Sequence, residues 1–147
     1  MKRTLLISAI AIGIASRLVA QNLGNDYIVV DQSAPNLEQL KTQYIGQAKV
    51  YFNDSAKPAP YIITMMLYSN TAVDLHLFVA TQPGSINFSS VKITSGNAGE
   101  FAQYFKDWKS RVSGKVIIHS TDVFTTAAGL SLKTKLTELT GLDFITP

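Results

Sequence analysis

The chain has 147 residues and no cysteine, and 46% of its residues are hydrophobic whereas 16% are charged. This length suits one domain with a full core and excludes two ordinary domains, and the composition excludes a disordered chain. Because cysteine is absent, disulfides, thiolate catalysis, cysteine-based zinc sites and the lipidated cysteine of bacterial lipoproteins are excluded as well. The formal charge of +3 suits a nucleic-acid partner only if the basic residues form one face.

The first residues have the pattern of a secretory signal peptide. A basic start precedes an apolar run over residues 5–14, and Ala20 is a small residue at the expected cleavage position. The run is shorter than the roughly 20 residues that a membrane span requires. We therefore expect a signal peptide over residues 1–20, a single exported domain over residues 21–147, and no stable membrane span after cleavage. A membrane anchor and a buried N-terminal helix are the alternatives.

The basic excess of the chain lies in this N-terminal segment. Removal of residues 1–20 takes away Lys2, Arg3 and Arg17, so that ten of the 13 basic residues remain beside all 10 acidic ones. Binding through counterion release needs a clustered basic face, and residues 21–147 contain no two adjacent basic residues. The sequence therefore predicts no nucleic-acid partner.

Short apolar runs alternate with helical patterns along the rest of the chain. Buried strands are predicted over residues 27–30, 49–52, 74–79, 115–119 and 143–146. Helices are predicted over residues 37–45, 61–68, 100–112 and 129–140, and a short β excursion over residues 86–93. The segment 61–68 is apolar nearly all round, so a strand is the alternative there. This alternation predicts an α/β domain with three layers, α/β/α, and a mainly parallel sheet.

Polar residues follow the predicted strands, at the edge where ligands of open parallel sheets bind. The candidate binding residues on this rim are Asp31, Thr81, Gln82, Ser120 and Asp122. Its acidic members, with Asp54, carry the ligand type that hard cations prefer. Asp is also a common cap of helices and turns. We favour capping, and the sequence predicts neither a metal nor another cofactor.

The two histidines do not form a recognisable catalytic motif. His76 lies inside a predicted strand, where sheet packing is the expected role. His119 is followed by Ser120, Thr121 and Asp122, which suggests a Ser/His/Asp site. Neighbours on an extended chain point to opposite faces, however, so these residues cannot form a relay among themselves. Glycine-rich phosphate loops are also absent.

Several segments between residues 26 and 147 resemble one bacterial family. They are Asp-Tyr-Ile-Val-Val-Asp at 26–31, Ala-Pro-Asn at 34–36, Leu-His-Leu at 75–77 through Pro-Gly at 83–84, the helix around Trp108, Thr-Asp-Val at 121–123, and the leucine-threonine-glycine ending at 136–143. Together they are similar to a caspase-like (gingipain-like) domain of unknown function that occurs near the N-terminus of large cell-surface adhesins. The resemblance implies a caspase-like fold and a cell-surface role in adhesion.

The chain departs from this family at two positions that matter for catalysis. Family members commonly carry Ser-His-Gly after the third strand and Gly-Cys-Asp-Val after the fourth, which resemble the histidine and cysteine of a caspase-type dyad. Ala80 and Thr121 stand at these positions. Alanine cannot act as a base, and a threonine hydroxyl is far less nucleophilic than a thiolate. The resemblance therefore implies no catalytic residues, with Ala80 and Thr121 as vestiges of the dyad.

These observations predict an exported, catalytically inactive module that binds a protein partner or a second copy of itself, in the periplasm, outside the cell or at its surface. Two alternatives stay open. One is a self-assembling extracellular subunit that pairs through an exposed edge strand at residues 143–146. The other is a hydrolase that uses Thr121 or Ser120 in a non-standard site.

Overall fold

The structure is a computed structural model that describes residues 25–147. The predicted signal peptide over residues 1–20 lies outside the described residues. Among residues 25–147, no helix has both the length and the apolar character that a membrane crossing requires.

Five strands form a central sheet in which every neighbouring pair is parallel. In chain order the strands of this sheet are β1 (Tyr27–Asp31), β2 (Val50–Asn53), β3 (Leu75–Phe78), β7 (Val116–Ile118) and β8 (Phe144–Ile145). Their order across the sheet is β2-β1-β3-β7-β8. The predicted α/β fold with a mainly parallel sheet is thereby confirmed.

A small antiparallel sheet follows β3 directly. It contains β4 (Ala80–Gln82), β5 (Ser85–Asn87) and β6 (Lys92–Thr94), in that order. This sheet is the predicted β excursion, and it begins six residues earlier than expected. Gly84 turns the chain from β4 to β5 with a φ of +83°, and a Cβ atom at this position would lie 2.8 Å from the Cβ of Ala128. Both the backbone conformation and the close approach require glycine.

Four α-helices lie in the described part of the chain, at α1 (Leu37–Tyr44), α2 (Ala59–Ser69), α3 (Ala102–Phe105) and α4 (Ala127–Thr140). The helix over residues 61–68, for which a strand was the alternative, is therefore confirmed as α2. The last helix begins two residues before its predicted start, because Thr126 accepts a hydrogen bond from the Gly129 N–H at 3.2 Å and caps it. Ile45, assigned to the first helical face, lies beyond α1 and is 76% exposed.

The prediction of a continuous helix over residues 100–112 was wrong. The segment consists of a 3₁₀ turn at Ala98–Phe101, the single turn of α3, and a second 3₁₀ turn at Trp108–Ser110. The carbonyl of Tyr104, which would accept the helical bond from the Trp108 N–H, instead accepts from the Asp107 N–H at 3.4 Å, a bond of 3₁₀ type, and the hydroxyl of Thr64 lies 3.2 Å from it. The aromatic periodicity reflects burial of Phe105 and Trp108, and a broken helix achieves this burial as well as a continuous one.

The two faces of the sheet are covered unequally. The buried side chains of α1, among them Leu40 and Tyr44, pack on Ile28 and Val30 of β1. The side chains of α2, α3 and α4 pack on the opposite face with Trp108 in the larger core. Helices on both faces give the three predicted layers. βαβ connections are right-handed. The connection from β1 to β2 therefore places α1 on one face of the sheet. The later connections run in the opposite direction along the sheet, toward β8, and place their helices on the other face.

Candidate functional site

A cleft of about 470 Å³ opens beyond the carboxyl ends of β3 and β7. It is lined by Pro35, Val79, Ala80, Thr81, His119, Ser120, Thr121, Asp122 and Pro147. The strand order reverses between β1 and β3, and this is the position at which open α/β sheets bind ligands. The cleft lies beside this position, at the same carboxyl edge of the sheet, and its lining includes Pro35 from the segment after β1.

Three of the candidate rim residues form one hydrogen-bonded cluster in this cleft. The Oγ1 atom of Thr81 lies 2.7 Å from the Oγ of Ser120. Both hydroxyls approach Oδ1 of Asp122, at 2.8 Å from Thr81 and 2.9 Å from Ser120. With the carboxylate ionised, the two hydroxyls supply only two protons to these three contacts, so two of the three are hydrogen bonds at any one time.

The cluster also holds the turn that follows β7. The Oγ atom of Ser120 accepts hydrogen bonds from the backbone N–H groups of Asp122 and Val123, each at 3.2 Å. The carbonyl of Asp122 accepts from the N–H and the hydroxyl of Thr125, at 3.2 and 2.7 Å. Ser120 therefore caps a turn and has its hydroxyl fully engaged, which is unfavourable for a nucleophile.

Ala80 and Thr121, the two positions compared above with the dyad of the resembling family, both line this cleft and form no dyad. Ala80 begins β4, and its backbone N–H donates to the Oγ of Ser33 at 3.1 Å. Thr121 is exposed, and its hydroxyl has no hydrogen-bond partner among residues 25–147. Ala80 supplies no ionisable group, and the described chain places no base on the Thr121 hydroxyl.

The remaining two rim residues lie outside the cleft lining. Asp31 is completely buried, and Gln82 is exposed at the end of β4. The carboxylate of Asp31 accepts from the backbone N–H groups of Ser33 at 2.9 Å and Ser89 at 2.7 Å, and from the side chain of Asn53 at 2.7 Å. Asp31 therefore ties β1 to β2 and to the loop after β5. No group of three His, Asp or Glu side chains in residues 25–147 is arranged to hold a metal ion.

Sequence reasoning missed a chain of hydrogen bonds that reaches the cleft from the α1 face of the sheet. The carboxylate of Asp26 lies 3.2 Å from Nε2 of His76, and Nδ1 of His76 lies 2.9 Å from Nε2 of His119. The ring of His119 stacks on Phe78, with ring centres 3.9 Å apart and planes at 9°. His119 thus bonds to His76 on the neighbouring strand, whereas no bond to the adjacent Ser120 is formed.

The sequence does contain a signal for these hydrogen bonds between Asp26, His76 and His119. The signal is the alternation of side chains along two strands, and it becomes informative once the register of the two strands is known. His76 and Phe78 share one face of β3, and His119, directly after β7, continues the face of Ile117 and bonds through its N–H to the Leu77 carbonyl at 2.9 Å. Because His76 pairs with Ile117 in a parallel register, all four side chains project from the same face. The sequence contains the alternation, whereas the register that joins the two strands comes from the fold.

Burial holds the pKa of His119 well below its ordinary value, at about 4, and the neighbouring His76 contributes a smaller lowering. His119 is therefore neutral at pH 7. In the tautomer in which Nε2 of His76 donates to Asp26 and its Nδ1 accepts, the Nε2–H of His119 is directed to His76 and Nδ1 of His119 carries the lone pair. The ring lines the cleft described above and a second groove of about 300 Å³ beside α1. The cleft is thus lined by one neutral imidazole and one carboxylate, those of His119 and Asp122.

A comparison with protein families matches residues 27–146 to the family described as Domain of unknown function (DUF4347). A search of curated proteins gave no match. A search of solved structures gave none either. The family match spans both sheets, the four helices and the cleft, and the chain therefore belongs to the DUF4347 family.

Proposed function

We propose that this protein is an exported, catalytically silent domain of caspase-like type, which acts as a binding or structural module outside the cytoplasm. The pattern of residues 1–20 supports export. The parallel sheet with helices on both faces supports the caspase-like relationship. The bacterial cell surface or the periplasm is the proposed location, and a protein is the proposed partner.

One observation carries the proposal of catalytic silence. Ala80 and Thr121, which stand where the dyad of the resembling family would be, both line the cleft. Neither has an acid or base among its hydrogen-bond partners in the described chain. Serine and threonine hydroxyls need an adjacent base for attack on a carbonyl. The nearest other hydroxyls, those of Thr81 and Ser120, are held by Asp122.

The test is a hydrolysis profile of the purified mature protein against peptide and ester libraries. We expect turnover no faster than in buffer, and no difference between the protein and its Thr121→Ala variant. Because Thr121 is exposed, this variant keeps the fold, as circular dichroism will verify. Robust turnover that Thr121→Ala abolishes would overturn the proposal.

The position of His119 favours a second function, hydrolysis in a non-standard site. The Asp26 carboxylate contacts the imidazole of His76, which contacts the imidazole of His119, and the ring of His119 lines a cleft that Thr121 also lines. Positioned bases of this type accelerate acyl transfer by about 10²- to 10⁴-fold. The same substrate libraries test this function. If the protein has this function, we expect the wild type to turn over a substrate and both His119→Gln and Thr121→Ala to lose this turnover. Both variants should fold as the wild type does.

Self-association is the form of binding that the edge of the sheet favours. Strand β8 pairs with β7 on one side, and no other described strand pairs with it. Unpaired strand edges are templates for a further strand. Light scattering on the mature protein tests this form of binding. A concentration-dependent increase in mass that Ile145→Pro abolishes supports pairing at β8, and a monomer at all concentrations contradicts it.

A further inference from the structure

A second cleft, of about 380 Å³, lies at the end of the sheet opposite to the candidate site. Asn25, Lys49 and Val73 contribute to its lining, and they lie one or two residues before the starts of β1, β2 and β3. Because these strands are parallel, the second cleft is at their amino ends, whereas the candidate site is at the carboxyl ends. The second cleft is therefore a separate feature of the molecule.

Three basic side chains line this second cleft, and no acidic side chain does. They are Lys49, Lys109 and Arg111. None of them forms an ion pair within residues 25–147. Residues 1–24 contain no Asp or Glu, so that segment has no carboxylate with which to neutralise them. Three unneutralised positive charges around one concave surface create a potential that attracts anions.

Two of the three basic groups are positioned by uncharged partners. Lys49 has a φ of 65°, a left-handed conformation that is uncommon for residues with a Cβ atom, and its Nζ donates to Oδ1 of Asn25 at 2.8 Å. The guanidinium of Arg111 lies 5.0 Å from the ring centre of Tyr68. It also donates to the Tyr68 carbonyl at 3.4 Å. These contacts orient both cations while leaving their charge uncompensated.

We propose that this second cleft binds a phosphate or sulfate ester of a sugar or another small polyol. Guanidinium groups bind tetrahedral oxyanions through paired N–H donors, and ammonium groups add point charges. Thr71 and Ser113 place hydroxyl groups in the same lining, which suit the hydroxyls of a polyol. The volume lies in the range of small-molecule sites and exceeds what a bare ion fills. This site is independent of the function proposed for the first cleft.

The test is calorimetric titration of the full chain with glucose 6-phosphate at low ionic strength, with glucose and inorganic phosphate as comparison probes. We expect saturable 1:1 binding of the ester, weaker binding of inorganic phosphate and none of glucose. Lys109→Gln should weaken binding by about tenfold, as expected for one charge-assisted contact. The matched control is Lys106→Gln, which removes the same charge from an exposed side chain outside the lining and should leave the affinity unchanged.

Four results would overturn the proposal. Absence of saturable binding refutes the site. An equal loss of affinity in Lys109→Gln and Lys106→Gln would show that only general charge attraction is at work. Equal affinity for inorganic phosphate and for the ester refutes the polyol part. Arg111→Lys keeps the charge but removes the paired donors, so undiminished binding by this variant refutes the role of the guanidinium. Amide shifts in NMR spectra, which should be confined to the lining near Ser110 and Ser113, identify the site directly.

Discussion

The Nδ1 atom of His76 lies 2.9 Å from the Nε2 atom of His119. This single hydrogen bond joins β3 to β7 on the sheet face that carries α1, between residues 43 positions apart in the chain. The second nitrogen of His76 is occupied by Asp26, and of the two rings only that of His119 lines the cleft. Whatever the cleft binds meets a neutral imidazole, because burial prevents His119 from gaining a proton near pH 7.

The stability of the protein should therefore depend on pH through His119. The folded pKa, about 4, is below the ordinary value of 6.5, so between these values the unfolded chain binds a proton that the folded chain does not. The free energy of unfolding accordingly falls as the pH decreases from 6.5 to 4, and this residue adds no slope outside that window. We expect a loss of about 2 kcal/mol across the window, allowing for water at the half-buried ring.

Urea unfolding at pH 7 and pH 5 measures this dependence, and His119→Phe is the control. Phenylalanine keeps a ring to stack on Phe78 but cannot be protonated, so the variant should lose less stability than the wild type between the two pH values. An NMR titration of the His119 ring should give a midpoint near 4. If the free energy of unfolding falls equally with pH in the wild type and in His119→Phe, the pH dependence does not come from His119.

Asp31 should be among the residues most sensitive to substitution, although it is not at the cleft. Asp31→Ala removes the acceptor of two backbone N–H groups and of the Asn53 side chain, all in a buried environment. We expect the free energy of unfolding to fall by about 3 kcal/mol, because buried donors left without a partner are costly. Urea denaturation measures the change.

The matched control for Asp31 is Asp54→Ala, which removes a carboxylate that is exposed just after β2. Surface substitutions of this kind change stability by about 0.5 kcal/mol or less. A similar loss of unfolding free energy in Asp31→Ala and Asp54→Ala would show that the buried hydrogen bonds of Asp31 do not determine its contribution to stability.

The first turn of α4 should tolerate no side chain at Gly129. A Cβ atom there would overlap the carbonyl oxygen of Val123, and it would lie 2.7 Å from the Cα of Phe124. Gly129→Ala should therefore reduce the free energy of unfolding by about 1 to 3 kcal/mol, as overpacking does, and displace the turn that contains Asp122. Thermal unfolding and the amide spectrum of the turn measure both effects.

Gly99→Ala is the control for this substitution. Its Cβ atom would meet no atom closer than Lys135 Cε at 4.0 Å, so its stability should be close to that of the wild type. If both alanine variants are equally stable, the close contact between α4 and the turn after β7 does not restrict position 129.

Thr64 should stabilise the core through its hydroxyl. This hydroxyl accepts from the indole N–H of Trp108 at 2.9 Å and donates to the Pro60 carbonyl at 2.7 Å. Thr64→Val keeps the shape but leaves the buried indole N–H without a partner, which should cost about 2 kcal/mol. Urea unfolding followed by fluorescence of the single tryptophan measures the loss. Thr134→Val, an exposed substitution on α4, should have little effect, and an equal effect would refute the role of the hydroxyl.

Much of the fold could be predicted from the sequence because its signals are local. The five parallel strands follow from runs of β-branched residues such as Tyr27–Asp31, and the last helix from its leucine spacing and Gly141. The segment around Trp108 could not be predicted, since its periodicity describes which side chains are buried and not which backbone groups bond. The Tyr104 carbonyl, which a continuous helix would bond to the Trp108 N–H, accepts from the Asp107 N–H instead, and the hydroxyl of Thr64, 40 positions away in the chain, lies 3.2 Å from it.

Rim positions could also be predicted, but not their roles. Strand ends are visible in the sequence, so Thr81, Ser120 and Asp122 were correctly expected at one edge of the sheet. Asp31 was named for the same reason, yet it is turned into the protein and bonded to Asn53. The direction of a side chain at a strand end depends on the loop that follows, and that loop is positioned by contacts distant in sequence.

The amino-acid sequence by itself determined the α/β class, the alternation of strands and helices, and the residues at the sheet's carboxyl edge, because propensity, periodicity and capping act over a few neighbouring residues. Only the tertiary structure decided that His76 and His119 share a hydrogen bond, and that Lys49, Lys109 and Arg111 surround one cleft. Both arrangements depend on strand order and register. These are set when separate segments bury their apolar faces against one another, a process that no local stretch of the chain specifies.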